Sequence, residues 1–138
     1  MTQPRDVVFA SKLFQDWLEA LKQRALLQTH NQSQAMFRAV LHALRRHMTT
    51  AQVLNFADAL PPLPRGIFIE GWRPAEPLPV KSAKDFIRDV IKDLAPHHVP
   101  PDSIVKDVFA VLSERSYVRN VPIMREQIPE ALKPLWPA

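Results

Sequence analysis

Arg38, His42, Arg45 and Arg46 stand at i, i+4, i+7 and i+8, the spacing that gathers side chains on one face of a helix. Phe37, Val40 and Leu44 fall on the opposite face. A stripe of this kind offers charge to an anion. A phosphate backbone would be met electrostatically, with affinity falling steeply as salt rises. The competing reading is a solvated face that favours solubility, and the positions one repeat later, Lys106, Ala110, Ser113 and Glu114, do not continue the stripe.

The second candidate is the segment Ile67-Phe68-Ile69-Glu70-Gly71-Trp72. Gly71 permits close backbone approach and Trp72 is a large amphipathic anchor, so with Glu70 the segment is suited to lining a groove for a partner's helix or peptide. Alternatively it seals a seam inside the fold. In that case both Trp72 and Trp136 should be buried.

Other chemistries find no actors. Lys84, Asp85, Arg88, Asp89, Lys92 and Asp93 alternate in sign along one predicted helix, so each carboxylate has a basic neighbour within helical reach. That pattern reads as a screened surface network. His42 and His47 are five apart, about 140° around a helix, and His97-His98 are adjacent in a proline-flanked turn, so no metal site is expected. No GxSxG, HExxH or cysteine nucleophile is present, and no catalytic residue is assigned. Two glycines cannot build GxGxxG or GxxxxGK[ST], so no nucleotide or other cofactor is expected either.

A chain of 138 residues can bury roughly 68–70% of its unfolded surface in one core. Hydrophobic residues make up 46% and charged residues 23%, an ordinary globular balance. No apolar run approaches the roughly 18 residues of a spanning helix, so no membrane contact is expected. Val7-Val8-Phe9-Ala10 is too short and too poorly flanked for a secretory signal, and with the absence of cysteine this points to the cytoplasm. The net charge of +4 lies wholly in residues 1–69, with 8 Lys/Arg against 4 Asp/Glu, while residues 70–138 carry 10 of each. That excess is modest beside the clusters of dedicated nucleic-acid binders.

The elements that must position these residues show an internal correspondence. Residues 36–68, moved along by 68, fall on 104–136 with Val40/Val108, Leu44/Leu112, Val53/Val121 and Pro61/Pro129 identical. Phe56/Met124 and Leu60/Ile128 keep apolar character. A first helix is predicted from about Ser11 with the stripe Leu13, Phe14, Trp17, Leu18 and Leu21, and its counterpart from Ser82 with Phe86, Ile87, Val90, Ile91 and Leu94. Second helices are predicted near Ser33 and Asp102, the loop before the first being longer by five residues within Gln28 to Gln32. Third helices follow from Thr49 or Thr50, with Thr49 and Gln52 at capping-box spacing, and from Asn120. Each unit closes on a proline.

Leu60-Pro61, then Arg65-Gly66-Ile67-Phe68-Ile69-Glu70-Gly71-Trp72, then Gln127-Ile128-Pro129 with Lys133 and Trp136 form a pattern that resembles the bacterial family known as domain of unknown function 2267. The resemblance extends from about Ser11 to Trp136 and implies two tandem helical units. It brings no catalytic residue, cofactor or ligand. Pro62 and Pro64 replace leucines more usual in that family, which predicts a closing helix broken or displaced at this point.

The expected fold is all-α, two tandem similar units of about three helices plus a short closing turn, packed as one compact bundle. An N-terminal arm covers residues 1–10, unit one 11–69, a Pro-rich connector 70–81 and unit two 82–138. The expected role is a non-enzymatic bacterial interaction module with an unidentified protein partner, contacted through Arg38, His42, Arg45, Arg46, Glu70 or Trp72. The alternative is a nucleic-acid-associated accessory protein using the basic face of the second helix.

Overall fold

Apolar residues at helical spacing, interrupted by prolines, dictate a chain of short helices. The computed structural model, which describes residues 4–138, contains seven α-helices, two 3-10 segments and no strand among those residues. The helices are α1 (Arg5–Ala25), α2 (His30–Arg45), α3 (Thr50–Ala59), α4 (Pro62–Ile69), α5 (Ala83–Leu94), α6 (Ile104–Arg115) and α7 (Val121–Gln127). A 3-10 turn, Val118–Asn120, precedes α7, and a 3-10 helix, Glu130–Leu135, closes the chain. Pro134 inside that last helix has no N–H to donate.

Helix α1 packs on α2 and α6, α2 also packs on α5 and α6, and α3 lies against α7. A single buried cluster runs through both halves, anchored by Trp17, Phe37, Phe56, Phe68, Phe86 and Phe109. Helix α6 is buried almost all round, from Ile104 to Leu112, whereas α2 keeps one polar face. No described helix is long and apolar enough to cross a membrane.

Several predicted boundaries move. Helix α1 starts at Arg5 rather than Ser11, with Pro4 at the N-cap position and Asp6 in the first turn. Residues 5–10 are therefore helix and not an arm, while residues 1–3 of that predicted arm lie outside the described residues. Helix α2 starts at His30 rather than Ser33, because Thr29 accepts from Gln32 N and the Gln32 side chain accepts from Thr29 N in a closed capping box. The box expected at Thr49 and Gln52 is present and closed in the same way. Helix α6, expected from near Asp102, begins at Ile104, after Ser103.

The closing helix α4 is unbroken. Pro62 and Pro64 occupy its first turn, where a backbone N–H has no intrahelical acceptor, and the first helical bond runs from Arg65 N to Pro61 O at 2.9 Å. Arg65 also turns back to donate to Ala57 O at 2.9 Å and Leu60 O at 2.7 Å. It thereby caps the end of α3.

Candidate functional site

Helix α4 has only eight residues, so its last carbonyls make up a large share of its backbone and need donors from elsewhere. Helix α2 supplies them. His42 Nε2 donates to Ile67 O at 2.7 Å, and Arg45 Nη1 donates to Phe68 O at 2.8 Å and to Glu70 O at 2.6 Å. The chain itself completes the set, with Glu70 N to Gly66 O at 3.0 Å and Trp72 N to Ile69 O at 2.9 Å. Every carbonyl from Gly66 to Glu70 thus has a donor. Gly71 takes a φ of +71°, the left-handed conformation that lets Trp72 fold back onto Ile69.

The remaining two members of the stripe are paired as well. Arg38 makes an ion pair with the Glu70 carboxylate, and Arg46 Nη1 lies 2.9 Å from Asp93 Oδ2 on α5. Beyond α2 the extended connector is pinned at one residue, where Leu78 N donates to Arg46 O at 2.9 Å and His47 Nδ1 donates to Leu78 O at 2.8 Å. The basic face is therefore an internal clasp, holding α4, the connector and α5 together.

Between the end of α2 and the connector lies a cleft of about 410 Å³ lined by His42, Arg45, Arg46, Trp72, Arg73 and Glu76, with Met48 and Leu78 as apolar wall. Both sequence candidates, the basic stripe and the Trp72 segment, meet here, apart from Arg38 and Glu70, which pair with each other beside it. Trp72 is half-buried at the edge of the core, and Trp136 is fully buried with its ring 5.5 Å from that of Phe109. Only one of the two tryptophans seals an interior.

Burial pushes the His42 imidazole below its ordinary value, and the nearby Arg45 and Arg38 push the same way, against the favourable bond to Ile67 O. Burial also lowers Arg45, which stays a cation at physiological pH. Among the described residues no three His, Cys, Asp or Glu side chains gather as a metal ion would require.

Sequence reasoning left out Arg73 and Glu76, which the extended connector carries onto the cleft wall. Their position depends on the Leu78 clasp, whose acceptor and donors are backbone groups and an imidazole far apart in sequence. No residue pattern announces such a contact.

No curated protein matches the chain. Residues 14–135, which hold all seven helices except the first turns of α1, match the family described as an uncharacterized conserved protein (DUF2267), and the chain belongs to that family.

Proposed function

We propose that the chain is a non-enzymatic helical interaction module that receives an extended acidic segment of a partner protein in the cleft beside Trp72. The convergence of Arg45, Arg73 and the half-exposed Trp72 indole on one concave surface carries this reading. The lining holds three arginines, Arg45, Arg46 and Arg73, against one carboxylate, Glu76. Carbonyl partners leave Arg45 its charge, and Arg73 has no ion-pair partner among the described residues. An aromatic anchor flanked by arginines is the composition from which interface hot spots are drawn.

Non-enzymatic action is supported by the state of His42, whose Nε2 is already committed to a backbone carbonyl. No cofactor forms part of the reading. A cysteine-free chain suits the reducing bacterial cytoplasm, where we place it. The nucleic-acid reading draws less support from the α2 stripe, since Arg38 and Arg46 are each held by a carboxylate.

The test is selection of random peptides displayed on phage against the full chain, with Trp72→Ala and Arg73→Glu as parallel baits. The reading expects enriched peptides rich in Asp and Glu, lost on both variants and weakened by salt. Enrichment indifferent to either variant, or saturable binding of duplex DNA at about 50 mM salt in its place, sinks it.

A further inference from the structure

We infer that binding at the cleft beside Trp72 is linked to uptake of a solvent proton at Nδ1 of His42, an assignment that rests on that cleft receiving an acidic segment. His42 lines the cleft of about 410 Å³. With Arg46 it also lines a second hollow of about 310 Å³, bounded by Arg38, Ala39, Asp93 and Leu94. The half-buried ring thus stands on a wall shared by two concave surfaces.

A carbonyl oxygen only accepts, so the 2.7 Å bond to Ile67 O fixes the hydrogen of the neutral ring on Nε2. Nδ1 is then the bare nitrogen, where a second proton adds. Among the described residues it has no hydrogen-bond partner, and the polar atoms sealed without a partner are Trp17 Nε1 and Ser33 Oγ. Nδ1 therefore keeps access to solvent. Since Nε2–H donates in both charge states, the tie to α4 survives protonation.

In the empty protein the surrounding charges oppose that proton. Arg38, Arg45 and Arg46 stand at i−4, i+3 and i+4 on α2, while α4 presents the Ile67 carbonyl. Glu70, Arg73 and Glu76 follow α4, and α5 brings Asp93. Glu70 is paired with Arg38 and Asp93 with Arg46, so neither offers the ring an unshared negative charge. Burial, then Arg45 and Arg38, hold the imidazole below its ordinary value.

A ligand carboxylate reverses this balance. An opposite charge within about 4–6 Å favours the ionised form of a titrating group by roughly tenfold or more. The imidazolium can donate from Nδ1 to that carboxylate, a bond the bare nitrogen cannot make. Coupling is reciprocal, so the factor by which the carboxylate tightens the proton is the factor by which the proton tightens the carboxylate. Affinity should rise as pH falls through the bound-state pKa of His42 and level off below the free-state one. Asp and Glu of the segment, ordinarily near 4, stay ionised from pH 8 to 6.

Calorimetric titration of the full chain with a hexa-aspartate peptide blocked at both ends tests the linkage, in PIPES and in imidazole buffers, whose ionisation heats differ. The expected result at pH 6.5 is net proton uptake in the parent and none in His42→Gln. Affinity should be about threefold or more higher at pH 6 than at pH 8 in the parent alone. Circular dichroism at each pH verifies that both chains are folded. In the parent itself, the Cε1 proton resonance of His42 should titrate at higher pH with the peptide than without it. Binding that is lost on Trp72→Ala and Arg73→Glu, yet carries the same proton count with and without His42, overturns the linkage and leaves the cleft as the binding site. No binding by the parent at either pH, or binding indifferent to those two variants, overturns the cleft reading and the linkage together.

Discussion

The guanidinium of Arg45 lies 2.6 Å from the carbonyl oxygen of Glu70, a residue 25 positions further along the chain, and 2.8 Å from that of Phe68. One cation thereby ends one helix from the side of another. A hydrogen bond to a charged group is worth about 1.5–3 kcal/mol, and the carbonyls left behind on its removal would carry a further desolvation penalty. Arg45→Met, which keeps the apolar stem and removes the donors, is expected to lower unfolding free energy by about 2–3 kcal/mol in urea titrations. Arg38→Ala breaks only an exposed ion pair and should cost less than about 1 kcal/mol. Equal losses in the two variants would show that Arg45 acts as a surface charge and not as a cap.

That capping role bears on any binding assay at this site. Reversing Arg38, Arg45 and Arg46 together to Glu would strip the end of α4 and the tie to Asp93 at once. Loss of a partner in that triple variant is expected to coincide with loss of the thermal transition. Arg73→Glu, on the exposed connector, should keep its melting temperature and report on the cleft alone.

The two glycines make opposite predictions. Gly71 sits at a φ of +71°, and a Cβ there would stand 4.0 Å from Arg45 Nη2, so Gly71→Ala meets backbone strain and no collision. A destabilisation of about 1–2 kcal/mol is expected. Gly66 lies inside α4, and nothing stands within 4 Å of where its Cβ would be. Gly66→Ala should therefore raise stability by about 0.5–1 kcal/mol, measured as a higher urea midpoint. Both signs reversed would contradict the geometry of the Arg-Gly to Glu-Gly-Trp segment.

The same segment shows what can be read from residues alone. The all-α class and the apolar stripes of α1 and α5 are carried by side chains that repeat every three to four residues, which is why they are visible in the sequence. The first turn of α2 is invisible to that test, because His30, Asn31, Gln32, Ser33 and Gln34 are polar and the capping box at Thr29 is its only signature. The first turns of α1 fail it for the opposite reason, since Val7, Val8 and Phe9 are apolar yet exposed. At the site, spacing groups Arg38, His42, Arg45 and Arg46 on one face but does not say what faces them. Their partners are carbonyls and carboxylates brought in by the return of α4, the connector and α5, and a carbonyl is the same in every residue.

Ser33 Oγ is fully buried in α2 and has no hydrogen-bond partner among the described residues. A buried hydroxyl without a partner carries its desolvation cost uncompensated. Ser33→Ala removes the group with almost no change in volume and should raise unfolding free energy by up to about 1–2 kcal/mol. A clear loss of stability in the variant would mean that the hydroxyl is bonded in solution.

His42 gives the fold a dependence on acidity whose sign follows from its environment. Burial, with the nearby Arg45 and Arg38, depresses its pKa in the folded state below the ordinary 6.5. In the unfolded chain the imidazole takes up its proton near that ordinary value, so between the two pKa values the unfolded state binds more protons. Stability should be complete above about pH 6.5 and should fall as acid carries the solution down toward the folded-state pKa. His42→Gln can still donate to Ile67 O but cannot titrate, so its urea midpoint should fall less than that of the parent chain between neutrality and pH 5. The other four histidines are common to both proteins and cancel in the difference. Parallel pH profiles for the parent and the variant would show that the imidazole is not held neutral against α4.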